Sequence, residues 1–352
     1  MAEKIDPPTT TTSSPSNPAA SSPLPPPPAN PSQPKQSQSK NALQKIRALL
    51  FHCLAASLRK TDRTILRLSS LLSKPTTTDN LLCTTSYILS LLHALLSRLL
   101  ARHISALAAS VATKATPVLL PGETFVAALP APAATQLLAQ TTASVKALAG
   151  LISDYRIFVR LWGLVDIYTW ARGTWNTPLT GDATGKEKLL RGVTWGAIAS
   201  CIGFQVLENG AYLASKGVLT GEGWAGDQGR KRESTWWIWS SRFWAAYVLL
   251  ELTRLGLVRY YDGAVVKRVE TTNGEEKSVL EDGEKEAKLL KEESRKNEAL
   301  WWRDLASNLA YMPMTLHWSV EEDRGILSDW GVGALGTVAG GANLVHAWRN
   351  TA

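Results

Sequence analysis

The chain has 352 residues and a formal net charge of +8 with a pI near 9.4, yet only 19% of its residues are charged and 45% are hydrophobic. That balance argues against a soluble nucleic-acid binder, which concentrates far more positive charge, and fits a basic protein at an anionic membrane surface. Fourteen Trp residues are in keeping with a membrane–water interface, where the ring is buried and its N–H stays wet, or with an aromatic core.

Residues 1–40 are rich in Pro, Ser and Thr and nearly free of large apolar side chains, the composition of a disordered tail. The helical domain is expected over 41–352. From Asn41 to Ser73, Leu43, Ile46, Leu50 and Cys53 recur at helical steps among many basic residues, and Lys74-Pro75 marks a stop. A second helix is expected over about Thr78–Ala109 with Asp79 as its N-cap. An Ala/Pro-rich linker covers 110–134, and a third helix runs from about Thr135 to Trp170. After a Gly/Pro loop (171–187), a Gly-punctuated helix spans about Lys188–Leu219, and an aromatic helix about Glu233–Tyr261. Mixed charge makes 262–298 a solvated loop that can become helix near its end. A helix near Glu298–Met312, a turn at Pro313 and an apolar segment Ile326–Trp348 close the chain. No stretch alternates with period two, so the fold class is an all-α, membrane-associated helical bundle with amphipathic helices and one to three hydrophobic spans.

Within the third helix, Leu138, Val145, Leu148, Ile152, Tyr155, Val159 and Trp162 fill one arc of ~100°, with Lys146, Arg156 and Arg160 beside one edge. A stripe with basic flanks suits a helix lying among lipid headgroups, and packing on neighbouring helices is the alternative. Seven half-buried apolar side chains supply roughly 5–10 kcal/mol. Three basic groups add on the order of 1 kcal/mol each near anionic lipid. The stripe therefore drives insertion and the charges bias the choice of lipid.

Trp330–Trp348 is the best spanning segment: 19 residues without Asp, Glu, Lys or Arg, ~28 Å as a helix. Its Gly336 and Gly340 form a GxxxG pair that permits close helix packing. Gly192–Leu207 is a shorter uncharged run ended by Glu208, for which Arg242 or Arg254 on the next helix is a candidate partner. A Glu at a membrane interface is the alternative.

No catalytic constellation emerges. Cys53, Cys83 and Cys201 form no metal spacing, and none of the five His residues has a ligand-spaced neighbour. Gly331, Gly333 and Gly336 match GxGxxG but follow no strand. The expectation is a non-enzyme without cofactor, metal or nucleic acid. No secretory signal opens the chain and no SKL-type address ends it.

Several strings resemble the peroxisomal biogenesis factor 11 (peroxin-11) family. They are Thr77–Tyr87 (an Asp followed by a closing Tyr), Tyr155–Gly163 (YRIFVRLWG), Leu207–Val218, Trp239–Trp244 and Met312–Trp318 followed by 327–340. Thr77 and Asn80 replace the family's usual Gly and Lys, Tyr311 stands where many members have Asp, and 103–134 is longer than usual. The pattern is similar to a divergent member of the fungal C-type. The resemblance implies a peroxisomal membrane protein (the endoplasmic reticulum membrane being the alternative) that self-associates, inserts amphipathic helices, elongates the membrane and connects to the fission machinery. Competing expectations are a membrane channel or solute transporter, using Glu208 and Arg242, and a passive organelle-contact scaffold.

Overall fold

A computed structural model describes residues 36–115, 132–272 and 281–351. The helices are α1 (Gln36–Leu72), α2 (Pro75–Ala115), α3 (Ala133–Arg160), α4 (Gly163–Asn176), α5 (Gly185–Ser215), α6 (Gly226–Thr272), α7 (Glu281–Trp318) and α8 (Asp329–Arg349), and no strand occurs among the described residues. The chain divides into two compact units, 1–62 and 63–352, the boundary falling inside α1.

Local chemistry explains most helix ends. α2 starts at Pro75, whose missing N–H costs nothing at a first helical position. The Thr77 and Thr78 hydroxyls donate to the Leu71 and Leu72 carbonyls left open at the end of α1. Asp79 therefore lies inside α2 and is not its N-cap. Thr184 caps α5 in a reciprocal box with Glu187. α5 ends where Gly217 adopts φ +70° and Val218 N–H donates to Leu213 O at 2.9 Å, a closure that favours glycine.

Several expected boundaries differ. The third helix breaks after Arg160, giving α3 and α4 where one helix was expected. The segment 262–298, expected to be a loop with helix only near its end, is helical over 262–272 and 281–298, with 273–280 outside the described residues. Its lack of apolar periodicity concealed helices whose stability comes from the packed portions of α6 and α7. Pro313 does not end α7, which continues to Trp318. Met314 and Thr315 beyond it are fully buried, so packing holds the turn that the proline weakens. Of the expected tail, 36–40 are helical and 1–35 lie outside the described residues. The expected linker 110–134 is helical to Ala115 and again from Ala133, and 116–131 lie outside them.

In the second unit the helices close a ring. α2 packs between α3 and α8, α7 between α8 and α6, α5 along α6, and α3 meets α5 to complete the circle. The α2–α8 contact depends on glycine. A Cβ on Gly333 would stand 2.7 Å from the Leu91 backbone, one on Gly336 2.3 Å from the Tyr87 ring, and one on Gly340 2.8 Å from Thr84 Oγ1. The GxGxxG spelling is thus a helix face that lets two backbones approach.

Small and polar groups make up much of the interior: Ala197, Ala211, Ala339, Ser200, Ser240, Ser307, Thr84 and Thr315 are buried, beside a few large apolar side chains such as Leu71, Ile198, Val248, Leu255 and Met314. Ser307 Oγ donates to Ala339 O at 3.1 Å, and Asn343 Nδ2 donates to Ser307 Oγ at 3.0 Å. Among the described residues every buried side-chain N or O has a partner. Many other large aliphatic and aromatic side chains lie outward, and every helix of the ring carries some of them.

Adding one methyl group along α8 tests this packing. Gly333→Ala meets backbone that cannot rotate away and is expected to cost about 2–3 kcal/mol. Gly341→Ala, with nothing within 4 Å of its Cβ, is expected to change stability by less than ~0.5 kcal/mol. Thermal unfolding of the two variants in the same detergent measures the difference.

Candidate membrane interface and its buried ion pairs

α3 turns a narrow face inward. Thr135, Thr142 and Ala149 recur every seven residues and are its buried positions. The His93 ring lies 3.2 Å from Thr142 O, and Ser86 Oγ donates to Ala149 O at 3.4 Å. At ~100° per residue, Arg160 shares the direction of Thr142 and Arg156 lies ~40° from it, whereas Leu151, Tyr155, Phe158 and Trp162 lie ~140–180° away.

Both arginines are consumed inside the bundle. Arg156 clamps Asp79 of α2 through Nε–Oδ1 at 2.8 Å and Nη2–Oδ2 at 3.3 Å, with its side chain only 11% exposed. Burial is the largest single influence and opposes the Arg156 charge, but the Asp79 hydrogen bond and the charge interactions with Cys83, Asp79 and Tyr87 together outweigh it and hold the guanidinium above its ordinary pKa. Arg160 clamps Glu208 of α5 through Nη2–Oε1 at 2.8 Å and Nε–Oε2 at 3.1 Å. Glu208 is buried and Arg160 about one-third exposed. The two arginines, four residues apart on one helix face, fasten α3 to α2 and to α5.

The break between α3 and α4 is built by the same stretch of α5. Asn209 Nδ2 donates to the Leu161 carbonyl at 3.1 Å, satisfying an acceptor at the end of α3. Gln205 Nε2 donates to Asn209 Oδ1 at 2.6 Å, and a Cβ on Gly163 would lie 2.6 Å from Gln205 Oε1. Glycine at 163 is what admits Gln205. Lys216 Nζ, 2.5 Å from Asp154 Oδ1, adds an exposed pair at the other end of the contact.

The expected membrane-facing set therefore divides. Leu148, Tyr155, Val159, Trp162 and Lys146 are exposed, while Leu138, Val145 and Ile152 lie half-buried at the packing edge. Arg156 and Arg160 are not on a lipid edge, because the helical wheel placed them beside the stripe without showing that acids of other helices occupy that side. Leu137, Leu151, Phe158, Val165, Tyr168 and Trp175, unassigned by the stripe, extend the apolar face across α3 and α4; Trp162 is 68% and Trp175 75% exposed. Consecutive large residues on the side opposite Thr142 were the signal available in the sequence.

Glu208 and Arg242 do not pair. Arg242 donates from Nε to Ser319 O at 3.0 Å and lies over the Trp239 ring. Arg254, the other candidate, pairs with Glu251. The pairing expected from chain proximity loses to one across 48 residues, because α3 approaches α5 on the face that carries Glu208. Tyr311 lies 3.3 Å (Oη to Sγ) from Cys83, and its ring stands 5.4 Å from that of Trp244, which stacks on Trp318 at 5.6 Å. A polar cavity of about 300 Å³ lies between α6, α7 and α8, lined in part by Tyr247, Glu251, Asp304, Tyr311 and Asn343. No metal-holding group of His, Cys, Asp or Glu occurs among the described residues.

Two helices are long and apolar enough to cross a membrane, in the ranges 75–114 (α2) and 185–215 (α5); only 22% and 17% of their most apolar windows are buried in the protein. α8, expected to be the best span, is not one of them, since five glycines, Asn343 and His346 dilute its apolar character. The run Gly192–Leu207 lies within α5.

An uncharacterized protein of Schizosaccharomyces pombe is 30% identical over 135 residues, or 38% of this chain and 48% of that protein. The match thus spans about half the length of that relative. No family model and no solved structure matches the chain.

The ion pair makes an asymmetric prediction. Arg160→Ala strands a buried carboxylate and is expected to cost about 3 kcal/mol. Glu208→Gln leaves an arginine that can turn to solvent and is expected to cost about 1–2 kcal/mol. The double variant should cost less than the sum, as read by a double-mutant cycle in denaturant unfolding. Exchanging Glu208 with Arg242 should rescue nothing.

Proposed function

We propose that this protein is a peroxisomal membrane protein that bends and elongates its bilayer, with the α3–α4 face as the inserting surface. The observation that carries the reading is the inverted distribution of side chains. Large apolar groups line the outside of α3 and α4, while charges, threonines and glycines hold the inside, the arrangement that lipid as solvent favours. Insertion of that face into one leaflet expands the leaflet and favours positive curvature.

The organelle, self-association and contact with the fission machinery rest on the resemblance to the peroxin-11 family. Two contacts support treating its strings as one unit: Arg160 of Tyr155–Gly163 meets Glu208 of Leu207–Val218, and Arg156 meets Asp79 of Thr77–Tyr87. The polar cavity between α6, α7 and α8 favours a second reading, passage of a small solute.

The purified full-length chain is expected to elongate vesicles containing anionic phospholipid. The double variant Leu151→Glu/Trp162→Glu replaces two outward side chains, at a cost of roughly 2.5–3.5 kcal/mol each at hydrocarbon depth and less near the headgroups. It should fold and lose most of the elongation seen by electron microscopy. Elongation unchanged by the variant would defeat the curvature reading, and solute flux sensitive to Glu251→Gln would favour the second. In cells, the tagged protein should locate to peroxisomes, and its deletion should leave fewer, larger organelles.

A further inference from the structure

We infer that the preference for anionic lipid resides in α1, not in α3, and that the stretch 45–62 is a second, peripheral helix lying on the headgroups of the same bilayer. The inference rests on the membrane reading above and adds where the lipid's charge is sensed.

The first step is subtraction. Of the three basic groups on α3 that border the apolar stripe, Arg156 and Arg160 are held by Asp79 and Glu208. Lys146 remains exposed. A face whose cations are already paired gains little from anionic headgroups, so α3 inserts by apolar burial with slight regard to lipid charge.

The second step is the face that α1 presents. Ile46, Leu49, Leu50, Phe51, Leu54 and Leu58 are each more than half exposed. At ~100° per residue, Ile46, Leu50, Leu54 and Leu58 follow one another along a single stripe, with Phe51 and Leu49 on its two shoulders. Lys45 and Arg59 are exposed on the opposite side, and Arg47 lies over the Phe51 ring at 5.7 Å, its stem along the apolar surface. Asp62 is the single acid between residues 36 and 66.

Charge decides the occupant. Two copies of α1 pairing through this stripe would bring together two strongly basic helices, whereas anionic phospholipid offers hydrocarbon to the stripe and phosphate to the cations. Connectivity favours the same answer. α1 ends at Leu72 and α2, one of the two helices able to cross a membrane, begins at Pro75, so the tether keeps α1 at a high effective concentration over a bilayer.

The native cysteines supply the test. Cys53 is exposed on α1, Cys83 is buried and Cys201 is partly covered. The full-length chain carrying Cys201→Ala takes an environment-sensitive fluorophore on Cys53 and is reconstituted into phosphatidylcholine vesicles with or without phosphatidylserine. A second preparation, with Tyr155→Cys and Cys53→Ser added, reports on α3. The Cys53 probe should shift to the blue and be quenched by lipid with brominated acyl chains when phosphatidylserine is present. The response should be about tenfold weaker without it, and should disappear in Lys45→Glu/Arg59→Glu. The Tyr155→Cys probe should be quenched in both lipids.

A Cys53 probe that stays in water, responds equally in the two lipids or survives the charge reversal overturns the inference. So does protection that follows protein density at fixed lipid composition, which identifies a second copy as the occupant. A Tyr155→Cys probe that stays in water overturns the insertion reading of α3, and the Cys53 signal is judged separately. Circular dichroism checks folding of the charge variant, whose substitutions lie at exposed positions.

Discussion

The closure of the ring between α3 and α5 depends on a bidentate Arg160–Glu208 pair, and much of the architecture follows from it. α2–α3, α2–α8, α5–α6 and their neighbours meet over long faces, but α3 reaches α5 mainly through polar groups. A buried carboxylate needs a fixed cation, and a guanidinium that meets it with two parallel bonds fixes direction as well as distance. The pair sets which way α3 faces. Asn209, one residue on from Glu208, takes the Leu161 carbonyl, and Gln205 fills the space above Gly163, so the break into α4 is laid down by one turn of α5.

Once α3 is oriented, Leu137, Leu148, Leu151, Tyr155, Phe158 and Val159 lie outward. A water-soluble bundle of this size would gather its Leu, Phe and Trp side chains inside. Here buried alanine, serine, threonine and glycine outnumber the few large apolar groups inside, such as Leu71, Ile198, Val248, Leu255 and Met314, and helix contacts gain from close backbone approach and from hydrogen bonds. That is the chemistry expected where hydrocarbon surrounds the helices and offers no hydrophobic reward for burial among themselves. The two span-length helices, α2 and α5, are also the ones the paired arginines grip. The proposed inserting face is thereby tied to the two helices long and apolar enough to cross a bilayer.

The arrangement separates two tasks that a single amphipathic helix often combines. α3 and α4 offer apolar surface with their arginines turned inward. α1 offers both an apolar stripe and exposed cations. Insertion depth and lipid charge would then be read by different helices joined through α2.

The all-α class and the main helical stretches were legible in the sequence because periodicity and capping act within a few turns, whereas the stripe read on α3 was only partly the face that lies outward. The absence of period-two alternation excluded a sheet for the same reason, and the glycines of α8 announced a close contact without naming its partner. What only the tertiary structure decided were pairings across long separations: Arg156 with Asp79 over 77 residues and Arg160 with Glu208 over 48. A helical wheel places a charge on a face but carries no information about which acid of another helix faces it. The same limit misassigned Arg242, whereas the ranking of α8 above α2 as a span gave too little weight to composition: the glycines, Asn343 and His346 of α8. An uncharged run says how a segment tolerates lipid, whereas packing decides whether that segment lies against lipid or against its neighbours.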